Sequence, residues 1–191
     1  MSDSAPPLDT RLLRRAAVGL VVVVAVAGVS GVLLREPITT LAEAFLDTFG
    51  MVGLFVAVML IDSSPFPLTH EPVLLLGVAT GVDWWLLGAV ASAASVTAGP
   101  IGYLGGTALN RWTDAAGWLE RRAPGILAYV RRWGATGVAI AAVLPIPFAV
   151  ATWTAGLCRV SFPKVLAAST LRIPKTLLYL SLLTGGWALG G

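Results

Sequence analysis

The chain has 191 residues, 57% of them hydrophobic and 12% charged, with a formal net charge of +3 and a mean hydropathy of +0.84. A soluble domain carries about 25% charged and about 45–50% apolar residues, so a soluble globular domain and a disordered chain are both excluded. The composition fits an all-α polytopic membrane protein with about four to six embedded segments of roughly 20 residues each.

Residues 1–15 are polar, contain Arg11, Arg14 and Arg15, and read as a cytoplasmic tail. Residues 16–36 read as an N-terminal transmembrane helix, built on the uncharged run Ala16 to Leu34 and ended by Arg35, Glu36 and Pro37. A signal peptide is the rival reading. The run exceeds the roughly 7–15 residues of a signal core, and no A-x-A site follows closely, which favours a retained helix with its N-terminus inside. Residues 38–50 mix Leu41, Ala44, Phe45 and Leu46 with Glu43 and Asp47, the pattern of a short interfacial helix.

Residues 51–81 comprise two short apolar arms around the tip Asp62-Ser63-Ser64-Pro65-Phe66-Pro67. Neither arm is long enough to span comfortably, so the segment reads as a re-entrant hairpin. Broken backbone at membrane depth is tolerated where protein buries it or where it lines a wet cavity. A spanning helix follows over 84–110, with Trp84 and Trp85 at one interface and Trp112 at the other. Gly88, Ser92, Ser95, Gly99, Gly102 and Gly106 recur along it at alternating spacings of four and three. This puts small residues on one face and lets another backbone approach closely, with Gly99, Gly102 and Gly106 as its packing core. Pro100 predicts a kink.

Residues 111–133 form a basic interfacial segment. Arg121, Arg122, Arg131 and Arg132 beside Trp118 and Trp133 suit an anionic lipid surface, and their position fits the positive-inside rule rather than nucleic-acid binding. Residues 134–158 repeat the hairpin logic around Pro145-Ile146-Pro147, and 162–189 read as the last spanning helix. The two Pro-x-Pro tips (65/67 and 145/147) are matched by a glycine in each second arm, Gly77 and Gly156. Counting crossings places the hairpins on opposite faces, as in an inverted repeat. Interrupted apolar segments in corresponding places of two halves point to a transport site.

Five ionisable residues fall in apolar surroundings: Asp62, Glu71, Arg159, Arg172 and Lys175. A charge at mid-bilayer costs at least about 2.5–3.5 kcal/mol on insertion scales, so such residues are functional or paired. Asp62 and Glu71 flank the first tip and either exchange protons or cap the hairpin arms. Arg172 and Lys175 share a helix face. They bind a phosphate or pair internally with Asp62 or Glu71, and the two readings are compatible. Arg159 and Lys164 read as anchors at the inner interface. His70 is a hydrogen-bond donor or a proton relay. Trp153 and Cys158 read as packing. One cysteine and one histidine exclude a disulfide framework and multi-Cys or multi-His metal sites, and no soluble-enzyme motif occurs. No catalytic residue, cofactor or metal is expected.

The segment from Asp62 through Pro65, Pro67 and Glu71 to Gly77 resembles the acidic–Pro-x-Pro–acidic hairpin of the DedA family, also called the VTT or SNARE-associated superfamily. Gly99-Pro-Ile-Gly102-Tyr103-Leu-Gly105 is similar to that family's glycine-rich helix, and Pro145-Ile-Pro147 with Ala155-Gly156-Leu-Cys-Arg159-Val-Ser-Phe162 to its second hairpin and following turn. The resemblance covers roughly 45–185 and makes 37–191 a DedA-like membrane domain. It implies lipid transport in a bacterial plasma (inner) membrane, with polyprenyl phosphate or phospholipid as partner and proton coupling attributed to the family. Under it, Asp62 and Glu71 take the acidic positions and Arg159 the post-hairpin arginine. Where many members carry an arginine pair around the second proline tip, this chain has Leu144 and Val150, and Arg172 and Lys175 stand on the next helix to supply charge.

Three functions stay open. The first is a lipid translocase (flippase- or scramblase-like) for a phospho-headgroup lipid. The second is a proton-coupled exporter of small solutes or drugs. The third is a membrane-organising protein whose glycine face packs a partner or a second protomer.

Overall fold

The computed structural model describes residues 33–66, 70–122, 124–144 and 147–189, with scattered positions from 18 to 29. The expected tail (1–15), most of the leading helix, and the tip residues Pro67 and Pro145 lie outside the described residues. Of the leading stretch, positions 18, 21, 22, 25, 26, 29 and 33 are helical and exposed.

All regular structure among the described residues is helical: α1 Arg35–Ser63, α2 Glu71–Ala79, α3 Trp84–Trp112, α4 Ala115–Arg122, α5 Pro124–Val143, α6 Phe148–Leu157, α7 Phe162–Ser169 and α8 Arg172–Leu189. By length and composition two of these, α1 and α3, are long and apolar enough to cross a membrane, α1 only with its two parts either side of Gly50 counted together. Prolines open helices rather than interrupt them. Pro72 and Pro163 stand in the first turns of α2 and α7, where a missing N–H costs nothing. Asp83 caps α3 by accepting from the Leu86 N–H at 2.9 Å.

Two expectations need correction. Arg35, Glu36 and Pro37 do not end a helix; the break falls at Leu34, and they open α1. The stretch 162–189 is not one helix but two, α7 and α8, separated at Thr170–Leu171. In a continuous helix the Pro174 ring would clash with the Thr170 carbonyl. The break puts Pro174 in the first turn of α8, and the turn closes through i→i+3 bonds such as Leu171 N–H to the Ala168 carbonyl at 3.2 Å. Pro100 lies inside α3, which stays helical through it.

Two glycines bend the chain at matching places. Gly50 (φ 58, ψ −160) divides α1, and Gly134 (φ 51, ψ −128) divides α5. Each joins a flanking segment to an apolar arm that stops at a Pro-rich tip. Only residues 51–63 of α1 lie beyond its bend, far short of the roughly 20 residues that span a bilayer.

The central helix is α3, which packs against α1, α6, α7 and α8. Every small residue of its Gly/Ser face is buried, and the same chain covers that face. A Cβ at Gly99 would meet Ser169 and Phe148, one at Gly102 would meet Thr152 and Trp153, and one at Gly106 would meet the Trp153 backbone. Gly156 sits equally tight against the Tyr103 carbonyl. The successive approaches 95–172 and 88–177 run α8 antiparallel to α3. Two apolar cores result, one around Leu54, Leu74, Leu87 and Leu180, the other around Val138, Phe148, Ala155 and Val165. Outside, Val52, Leu60, Trp85, Leu104 and Trp112 stand exposed. In water such a surface drives association; in lipid it is the surface required.

Candidate functional site

Between the two cores, four polar side chains from four elements converge. Asp62 ends α1, His70 precedes α2, Ser95 lies mid-way along α3, and Arg172 begins α8; all are buried. Arg172 Nη2 forms an ion pair with Asp62 Oδ2, and Arg172 Nε donates to Ser95 Oγ at 2.7 Å. Ser95 Oγ in turn donates to Asp62 Oδ2. His70 Nδ1 lies 2.8 Å from Asp62 Oδ1. A carboxylate only accepts, so the imidazole proton on that side belongs to Nδ1. The guanidinium also lies over the Phe148 ring, 4.8 Å from its centroid, a cation–π contact.

Helix dipoles explain why this pair is crossed. Asp62 stands at the C-terminal, partly negative end of its own helix, and Arg172 at the N-terminal, partly positive end of its own. Each charge is unfavourable at home and favourable at the other's helix end. Taking two charges out of water costs several kcal/mol per ion unless geometry and further hydrogen bonds compensate, and Ser95 and His70 supply those bonds.

Lys175, one turn beyond Arg172, is half-buried and makes no ion pair among the described residues. Its Nζ donates to the Leu144 carbonyl at 2.8 Å and lies 5.8 Å from the Tyr179 ring centroid. Glu71 is half-buried, and its Oε2 is enclosed without a hydrogen-bond partner among the described residues. Its charge reaches Lys175 and Tyr179 at longer range. Among the described residues neither acid caps a hairpin arm: both Asp62 oxygens are used by side chains, and Glu71 Oε2 accepts no hydrogen bond there. Arg159 is exposed, in the turn after α6 and apart from the buried group, with φ 52. Pro65 and Pro147 are exposed beside their tips.

Three participants were not read as such from the sequence. Ser95 counted only as a small residue on the glycine face. Phe148 drew no attention. Trp153, read as packing, donates its indole Nε1–H to the Ser63 carbonyl at 2.7 Å. A hydroxyl on an otherwise Gly/Ala face was the available signal for Ser95; none existed for the other two. No group of three or more His, Cys, Asp and Glu side chains gathers among the described residues.

The arrangement holds a buried charge pair, a half-buried cation one turn beyond it, and a carboxylate oxygen with no hydrogen-bond partner among the described residues. A family model described as the VTT domain matches residues 65–184. No curated protein and no solved structure matches the chain.

Proposed function

The chain belongs to the VTT-domain family, the DedA family of membrane proteins, and from that premise we propose that it is a lipid translocase, flippase- or scramblase-like, for a phospho-headgroup lipid such as polyprenyl phosphate or a phospholipid. The family is transporter-like rather than enzymatic, and the chain is a membrane protein of that family, with two helices apolar enough to cross. In this reading 51–81 and 134–158 are re-entrant hairpins entering from opposite faces. The bends at Gly50 and Gly134 and the antiparallel run of α3 and α8 support an inverted repeat. The location is a bacterial plasma membrane with the N-terminus inside and the arginines of 111–133 on the cytoplasmic side.

The observation that carries the reading is the buried Asp62–Arg172 pair where the two broken segments meet. An intramembrane charge is costly and marks a substrate or ion path. Around it, Arg172 and Lys175 offer positive charge to a phosphate, and Asp62 and Glu71 offer carboxylates that protonation could neutralise. The small-residue face, filled by the chain's own helices, gives no support to a partner packed there.

The test is headgroup accessibility in proteoliposomes made with the pure protein and labelled polyprenyl phosphate or phospholipid. The outer leaflet is quenched with and without a pH gradient. Quenchable lipid in excess of that in protein-free vesicles supports translocation. Folded protein that moves neither lipid, but carries a solute under a proton gradient, replaces it with the exporter reading.

A further inference from the structure

Two backbone carbonyls occupy matching places in the two halves. Ser63 ends α1, and Leu144 follows the last residue of α5, each just before a Pro-rich tip. Carbonyls in the last turn of a helix have no intrahelical partner. Each of these two receives one long side-chain donor, the Trp153 indole at 2.7 Å and the Lys175 ammonium at 2.8 Å.

The two donors differ in kind. The indole is neutral, has one N–H, and lies against Gly102 and Gly105, so the first contact is fixed by close packing. The ammonium carries a full charge and three donors on a half-buried side chain. No carboxylate among the described residues lies within ion-pair distance of it. Asp62 is occupied by Arg172 and His70. A half-buried cation held by a carbonyl dipole and an aromatic face 5.8 Å away, with Glu71 and Asp62 acting only at longer range, lacks the close counter-charge that makes burial tolerable. Arg172 is different: it is 3% exposed and already committed to Asp62 and Ser95.

We propose that Lys175 is the residue that takes the headgroup phosphate, and that it does so by exchanging the Leu144 carbonyl for a phosphate oxygen, which releases the end of α5. The ligand class is a phosphate-bearing amphiphile, monoester or diester. The inference rests on the lipid-translocation reading and deepens it by separating a binding cation, Lys175, from a structural one, Arg172.

Ala142, fully buried in the last turn of α5, reports the release. Ala142→Cys is placed in a Cys158→Ser background, and its alkylation by N-ethylmaleimide is followed in detergent. The probes are geranyl phosphate (a monoester), dihexanoylphosphatidylethanolamine (a diester), and geraniol as the uncharged control. Either phosphate probe is expected to raise the labelling rate by roughly fivefold or more, the scale of ordinary ligand coupling, while geraniol leaves it unchanged. The probe that acts names the ester class. Lys175→Met is expected to label fast without probe and to ignore both. Lys175→Arg keeps a donor and is expected to stay slow until probe is added, which controls for misfolding. Labelling that neither phosphate probe raises, that geraniol raises equally, or that stays slow in Lys175→Met overturns the proposal. Because the readout is not transport, phosphate-dependent labelling with no lipid movement in proteoliposomes sinks the translocase reading and leaves the Lys175 site standing.

Discussion

Trp153 and Ser63 stand 90 residues apart in the chain, and the indole N–H of the first donates to the backbone carbonyl of the second. This bond ties the second arm of one broken segment to the end of the first arm of the other. Ser63 is buried, so its carbonyl has no water to fall back on. Trp153→Phe keeps most of the ring and removes only the donor. It is expected to lower stability by about 1–3 kcal/mol, the cost of an unsatisfied buried acceptor, measured by thermal unfolding in detergent.

Asp62 and Arg172 depend on each other. Removing one partner leaves an uncompensated buried charge, so Asp62→Asn and Arg172→Gln are each expected to destabilise by about 3–5 kcal/mol. The double variant is expected to lose much less than the sum. A double-mutant cycle on unfolding measures the coupling, and additive losses would falsify a direct pair.

The glycines separate by what surrounds them. At Gly106 and Gly156 a Cβ would strike the backbone of Trp153 and of Tyr103, while at Gly185 it would meet nothing within 4 Å. Gly106→Ala and Gly156→Ala are expected to cost about 1–3 kcal/mol or more through overpacking. Gly185→Ala should be neutral or slightly stabilising, because alanine is the better helix former. Parallel melting curves of the three variants check this.

Gly50 and Gly134 have open space but positive φ. Their cost on substitution is therefore strain, not collision. Alanine at either is expected to lose about 1–3 kcal/mol. Equal stability of Gly50→Ala and wild type would mean that the bend in α1 is not required.

Arg159 holds a left-handed conformation (φ 52) at an exposed position after α6. Glycine fits such a helix-ending position without penalty. Arg159→Gly is expected to raise stability by about 1 kcal/mol. If the charge serves lipid binding, the same variant will move less lipid in proteoliposomes despite melting higher.

Much of the architecture was legible because its causes are local. Composition alone placed the chain in lipid. Pro65, Pro67, Pro145 and Pro147 interrupt apolar runs wherever the chain is placed in space, and the spacing of Gly99, Gly102 and Gly106 puts them on one face of any helix. The division at Thr170–Leu171 was not legible: Pro174 disfavours a continuous helix there, but Pro100 lies inside a continuous α3, so a proline alone does not say which helix breaks.

The partners were not legible. Asp62 reaches an arginine 110 residues away, and nothing near either residue names the other. Lys175 meets a backbone carbonyl rather than an acid, and backbone acceptors carry no sequence signal. The sequence by itself determined the solvent of this protein, most of its helical elements and the interruptions at its Pro-rich tips, because these follow from burial cost and steric rules acting within a few residues. Only the tertiary structure decided that Arg172 goes to Asp62, Lys175 to Leu144 and Trp153 to Ser63. Such choices depend on how the close-packed glycine face of α3 sets the helices against one another, and that closure couples residues with no local means of recognising each other.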